Sequence, residues 1–490
     1  MLRSAFSKTL AASRFQAASL QGTNRCFSVS AVQLAKPLGK LVPAAKVKAK
    51  VKVNHNKKEK SKKSGMTPYD FKDAVRTLKF ETYAKDLSDL NLSELSAANL
   101  AELKDKIVTF ESRVDGQIEL MGGYKKYQHH ELFKQHCSMV TDNTVQIHES
   151  FVKKLDGSSK DNRACLLGPK GVGKSTLLSQ AQALARSQYG SDLVLLHIAE
   201  PELFVQGFSD YALNPTLKLF HQPMFTKRWI KKLRDVNEDV FKKMPLLKDV
   251  TFTNKKGVHN YKKGQNNLHE YLVNCHDFGI VGPSEAFKFF IEHLQTYSKD
   301  FPVLFSVDNV NAIFEKQFTN YFHKDMTPIH YSEFEIGSLI KQLMSGEFSF
   351  AKGGVLLSES SDLGQSKTLK VGLKLQDLDP YAEDLDHPEA VSMMQNGGIN
   401  TIALTNLSKP QARTLMEFWN ESGVLQIRDY ATKPNFKRPE DLAEGARIMK
   451  VGEFVNEMDP VEMYEKKLEK TYFVSGGNPG VFLKNNVLNY

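Results

Sequence analysis

The sequence predicts an α/β fold built on a doubly wound, mainly parallel sheet, and three observations carry that prediction. Strand-length apolar runs alternate with segments of helical periodicity between about residues 133 and 423. The run 164–167 feeds directly into Gly168-Pro169-Lys170-Gly171-Val172-Gly173-Lys174-Ser175-Thr176, which matches the phosphate-binding pattern G-x-x-x-x-G-K-[ST]. Further on, the apolar run 301–307 ends on Asp308. A sheet of this kind takes its ligand at the carboxyl ends of the strands, so loop and Asp308 fall on one edge.

The loop has a defined chemistry. Its glycines let successive N–H groups turn toward one anion, Lys174 reaches the β- and γ-phosphates, and the Ser175 hydroxyl suits a Mg²⁺ ion. The helix read over 175–186 adds its N-terminal partial charge. Asp308 completes the metal pair with Ser175, with a simple turn cap as the plainer reading. Asn309 follows where hydrolytic P-loop ATPases carry Glu; an amide cannot take a proton from water, so fast hydrolysis is not expected.

At 490 residues the chain has room for two or three domains. No stretch approaches about 18 consecutive apolar residues, which argues against a membrane-spanning helix. The four cysteines, Cys26, Cys137, Cys165 and Cys275, form no C-x-x-C pair, so neither a disulfide framework nor a zinc site is indicated. The net charge of +10 is unevenly placed: residues 1–65 hold fifteen Lys or Arg and one acid, Glu59, giving +14, and the rest sums to −4. Affinity of the body for polyanions must therefore come from local patches.

In chain order, 1–34 has spaced basic residues, many Ser and Ala, and no acid, the composition of a mitochondrial transit peptide, which predicts the matrix as destination. Residues 35–65 form a lysine-rich tail predicted to be disordered; Lys57, Lys58, Lys62 and Lys63 are candidates for RNA phosphate contact, with a solvated linker as the alternative. Residues 66–132 read as a helical arm, with Leu92, Leu95, Leu100 and Leu103 on one face. His129, His130, His136 and Cys137 lie close together but match no usual metal spacing. The nucleotide-binding domain is placed at 133–423, with a helix-rich basic insertion at 201–280. There Lys231 and Lys232, with Phe225, Trp229, Phe241 and Tyr261 interleaved, read either as an RNA surface or as a solvated face. A helix over 335–344, a strand over 354–358, a polar loop over 359–399, a strand over 402–404 and a Pro-initiated helix over 410–419 follow. Residues 424–490 read as a small helical lid carrying Gly476-Gly477-Asn478-Pro479-Gly480.

The order of these elements resembles ATPases of the AAA+ and signal-transducing type, which place a phosphate sensor near Ser358 and bring a G-x-P segment of the lid, here Asn478 and Pro479, to the nucleotide. A plain Gly-Pro turn is the alternative for the latter. The transit peptide, the loop 168–176, the strand ending at Asp308 without a following Glu, and the terminal Gly-Gly-Asn-Pro together resemble the death-associated protein 3 family. The lysine tail and basic insertion give this chain the look of a fungal version. That resemblance, over about residues 120–490, implies a GTP-binding component of the mitochondrial small ribosomal subunit. It further implies contacts to ribosomal RNA and neighbouring small-subunit proteins, and a bridge to the large subunit. The implied ligand is GTP or GDP with Mg²⁺. Guanine preference comes from the resemblance alone, since no N-K-x-D motif is present, and the residues leave ATP open. Two further functions compete with a structural nucleotide: an NTPase that remodels an RNA or protein complex, and a nucleotide-dependent switch.

Overall fold

The computed structural model describes residues 87–125, 128–215, 217–254, 257–275, 283–315, 318–364, 366–425 and 460–488, all within the unit Thr67–Tyr490. The transit-peptide and lysine-tail segments, including Lys57, Lys58, Lys62 and Lys63, lie outside the described residues.

The chain first builds a three-stranded sheet. Here β1 (Ser93–Glu94) pairs parallel with β2 (Ile107–Thr109), and β2 pairs antiparallel with β3 (Cys137–Met139). This corrects the helical reading of 92–103, which forms a strand end followed by turns, whereas Ser112–Met121 within the expected arm is a helix. Positive φ at Asn91 and Asp105, 45° and 62°, breaks any helix at both ends, and the Asn99 carbonyl closes turns with the N–H groups of Glu102 and Leu103. Leu95, Leu100 and Leu103 are nevertheless buried. Apolar spacing marked the inward residues correctly while the local backbone took another route.

The central sheet is five-stranded and all parallel, in the order β12 (Asn400–Ala403), β4 (Arg163–Leu167), β11 (Gly353–Ser358), β10 (Val303–Val307), β5 (Val194–Ile198). The expected parallel sheet of an α/β fold is thus present. β5, β10 and β11 are buried throughout, as parallel strands covered on both faces must be, which is why they read as unbroken apolar runs. The polar exceptions on β5 and β10 pair with each other. His197 and Ser306 are register partners on β5 and β10, joined Nδ1 to Oγ at 2.9 Å, and Gln182 Nε2 donates to the same hydroxyl at 3.0 Å. Between β5 and β10 lie two hairpins, β6 (Ala212–Asn214) with β7 (Leu219–His221) and β8 (Val250–Asn254) with β9 (Gly257–Tyr261), together with helices that include Pro223–Val236.

The stretch 359–399, expected to be a polar loop, contains the helices Lys367–Gly372 and His387–Met394, capped by the side chains of Ser366 and Asp386. Their shortness hid them: Val371, Leu385 and Ala390 bury a small core of their own. The Pro-initiated helix is Lys409–Glu421, with Ser408 and Gln411 forming a reciprocal capping box. Together with Pro460–Ser475 and Pro479–Leu483 it makes a second core around Met416, Trp419, Leu468 and Phe482. That core also takes in Leu87, Ile107, Phe133 and Cys137.

Burial pushes the rings of His197 and His293 down from 6.5 to about 4. His293 Nε2 accepts the Leu247 N–H at 2.8 Å, a bond only the neutral ring makes. With folded values below the unfolded one, their contribution is complete above pH 6.5 and is lost as pH falls through that value toward 4. The urea midpoint is expected to drop across this window, and less steeply in His293→Gln. A flat midpoint over the same window would contradict the assignment.

Candidate nucleotide site

The carboxyl edge of the sheet brings the predicted residues together. Register pairs Val307 with Ile198 and Leu357, Leu357 with Cys165, and Ala403 with Leu167, so Asp308, Glu359, Gly168 and Leu404 follow along one rim. Strand β4, loop 168–173 and helix Lys174–Tyr189 form the strand–loop–helix that the motif requires. Among the described residues nothing accepts from the N–H groups of Gly171, Gly173, Lys174 or Ser175. Unpaired donors at a helix N-terminus form an anion cradle.

Lys174 is almost fully buried, and its ammonium donates to Gly168 O at 2.5 Å, Pro169 O at 3.0 Å and Ser361 Oγ at 2.7 Å. Burial lowers its pKa while Glu359 and Asp308 oppose the shift. Ser358, the predicted sensor position, is fully buried with its hydroxyl unpartnered among the described residues. Ser361, three residues later, makes the contact to Lys174, and Lys170 pairs with Asp362. The sequence alone did not single out Ser361.

From the other side the C-terminal segment grips the loop. Asn478 Nδ2 donates to Lys170 O at 2.9 Å and the Gly480 N–H to Gly171 O at 2.9 Å, while Asn478 Oδ1 caps helix Pro479–Leu483 through Gly480 and Val481. Gly171 has φ +82°, and a Cβ there would stand 2.7 Å from Asn478 Oδ1, so only glycine allows this approach. Pro479 opens the helix at its first turn. Beside the loop, Leu167, Gly168, Pro169, Ser361, Leu369 and Lys370 help line a cavity of about 330 Å³, within the ~300–1,000 Å³ usual for small-molecule sites.

Asp308 has a different partner from the one expected. Lys125 Nζ lies 2.5 Å from Asp308 Oδ2 and 2.8 Å from Asn309 Oδ1, and Asn309 Nδ2 donates to Glu202 Oε1 at 2.8 Å. A divalent ion beside an ammonium is repelled: at ~4 Å and an effective dielectric constant of ~20 the term is about 8 kcal/mol. Ser175 and Asp308, as arranged, therefore do not fit the expected Mg²⁺, because the carboxylate is already neutralised. Burial raises the pKa of Glu202, whose Oε2 has no partner among the described residues. Neither Lys125 nor Glu202 lies in a recognisable motif.

The basic insertion is corrected in one respect. Trp229 is 5% exposed and donates its indole N–H to His197 O at 2.7 Å, while Phe241 and Tyr261 are also buried. These aromatics are core, whereas Arg228, Lys231 and Lys232 face outward on helix Pro223–Val236. His136 pairs with Asp115 at 2.8 Å, and His129 packs against Phe133, Phe418 and Trp419.

A family model described as mitochondrial ribosomal death-associated protein 3 matches residues 138–485. The chain is 24% identical over 334 residues to the small ribosomal subunit protein mS29 of Neurospora crassa, covering 64% of this chain and 66% of that protein. It is 23% identical over 289 residues to the protein of the same name from Schizosaccharomyces pombe, 57% of each. The matched parts thus span just under two thirds, and somewhat over half, of these curated relatives. Because the family match covers well over half of the sequence and includes both the phosphate loop and the lid that grips it, the chain belongs to the mitochondrial ribosomal death-associated protein 3 family.

Proposed function

We propose that the protein is a structural component of the small subunit of the mitochondrial ribosome and holds a guanine nucleotide, GTP or GDP, at residues 168–176 as part of its fold. The observation that carries this reading is the family match over 138–485, supported by two relatives named as small ribosomal subunit proteins. The nucleotide rests on the unpaired N–H groups of the loop, on Lys174 and on the adjoining cavity. Ser358, Ser361, Asn478 and Pro479 are assigned to its surroundings. Arg228, Lys231 and Lys232 are assigned to ribosomal RNA phosphates, as are Lys57, Lys58, Lys62 and Lys63. With Trp229 buried, helix Pro223–Val236 offers charge rather than base stacking, so it positions RNA without reading sequence. Neighbouring small-subunit proteins and a bridge to the large subunit complete the proposed partners, in the mitochondrial matrix. Among the described residues no helix is long and apolar enough to cross a membrane.

Sedimentation of a mitochondrial lysate containing the tagged chain tests this reading. The chain should travel with the small subunit, and mass spectrometry of the particle should release a guanine nucleotide. A chain that stays in the light fractions would refute the ribosomal role, and recovery of ATP instead would refute the base assignment.

One observation favours a second reading, an NTPase. Glu202 sits within hydrogen-bond reach of Asn309 and has an unpartnered oxygen, so it is placed to orient a water where Asn309 is unable to. Phosphate release that is abolished by Glu202→Gln would establish it; no turnover in the wild type would dismiss it.

A further inference from the structure

Lys125 is held in place by its own chain. The segment Gly122-Gly123-Tyr124 before it is pinned at three points. The Gly123 carbonyl accepts from Ser179 Oγ at 3.1 Å, the Tyr124 hydroxyl donates to Asp115 at 2.6 Å, and the Tyr124 ring stacks on His136 with centroids 3.9 Å apart. The ammonium is thereby delivered to the end of β10, where it contacts the Asp308 carboxylate and the Asn309 amide oxygen. Asp308 is 5% exposed at its side chain, so water contributes little to balancing its charge. Asn309 is itself held at φ +54°, a backbone state unusual for a residue other than glycine, by its bonds to Lys125 and Glu202.

We propose that Lys125 is the resident cation of this site and that the protein binds its nucleotide without a divalent metal ion. The inference rests on the nucleotide reading above and adds how the charges of the site balance: Lys174 from the loop faces the phosphates, and Lys125 from the N-terminal segment neutralises Asp308, the carboxylate that would otherwise hold a metal ion. A carboxylate and an ammonium in contact have together no net charge with which to draw a dication. Such a site keeps its nucleotide when magnesium is withdrawn. It also ties nucleotide retention to the position of the segment that carries Lys125, since moving that segment uncovers the buried carboxylate beside the phosphates.

The test is a pair of GDP titrations on the purified full chain, one in EDTA and one in magnesium chloride. The wild type should bind GDP with dissociation constants equal within about threefold in the two buffers. Lys125→Met should weaken binding by about tenfold or more in EDTA, with magnesium restoring part of it, whereas Lys125→Arg should stay independent of magnesium. A wild type that binds only with magnesium, or a Lys125→Met chain that binds as well as wild type in EDTA, would overturn the proposal while leaving the nucleotide reading intact. Failure to bind GDP, GTP or ATP in either buffer would instead remove the nucleotide reading, and this inference with it. The wild-type pair decides the matter even if Lys125→Met does not fold.

Discussion

Lys174→Met is expected to abolish nucleotide retention while leaving the apoprotein folded. The ammonium is the buried positive charge inside the loop, and charge-assisted hydrogen bonds of its kind contribute about 1.5–3 kcal/mol each, so affinity should fall at least on the order of 100-fold. Met keeps the apolar stem and so limits the damage to the three acceptors, Gly168 O, Pro169 O and Ser361 Oγ, of which the hydroxyl already donates to Gly168 O at 3.1 Å and keeps that bond. Ligand linkage supplies the readout. A nucleotide bound only to the folded chain adds about 4 kcal/mol at a thousandfold excess over Kd, so the wild type should melt at a higher temperature when GDP is added and the variant should not. Equal melting shifts in the two proteins would show that the nucleotide, if bound, lies elsewhere. If the nucleotide is structural, the same variant should also accumulate less in small subunits. Normal subunits carrying a nucleotide-free chain would refute that.

Trp419→Ala is expected to cost about 3–5 kcal/mol, as truncation of a fully buried Trp does. The effect should be local first. Trp419 stacks on Phe482 at a centroid distance of 5.5 Å, and Phe482 belongs to the helix that Asn478 caps over the phosphate loop. Loosening this core should release the segment 476–483 from Lys170 and Gly171, and with it part of the nucleotide affinity. Limited proteolysis should cut the C-terminal region of the variant before the central sheet, and GDP should slow the cut in the wild type alone. Trp419→Phe should cost less, because it keeps an aromatic ring against Phe482 and, beyond the smaller ring, loses only an indole N–H that has no partner among the described residues. Uniform proteolysis of sheet and lid would contradict this order.

The site was legible in the sequence wherever a short motif carries its own geometry. Residues 168–176 required a strand, a turn and a helix, and β4, the loop and helix Lys174–Tyr189 supply them. The buried strands were legible because a parallel sheet covered on both faces needs uninterrupted apolar runs. Less legible was the segment from 92 to 103, where helical spacing and a compact turn bury the same leucines. The short helices within 359–399 were hidden because a single helical turn or two shows too little periodicity to be told from a loop. Trp229 misled for the reverse reason: a basic helix needs one buried face, and the aromatic among its lysines is that face.

What the sequence determined by itself was the kind of site, because the phosphate loop is local and its nine residues contain the glycines and the lysine that the chemistry needs. What only the tertiary structure decided was the company those residues keep. Lys125, Glu202 and Ser361 come from three separate segments, and nothing in their own neighbourhoods marks them. Asp308 shows the difference most directly. Its place at the end of an apolar strand is written in the chain, but its partner, an ammonium 183 positions earlier, depends on three contacts that pin residues 123 and 124 against Ser179 of helix Lys174–Tyr189, Asp115 of helix Ser112–Met121 and His136 just before β3. Local patterns fix backbone geometry, whereas charge balance in a buried site depends on which distant side chains the fold delivers there.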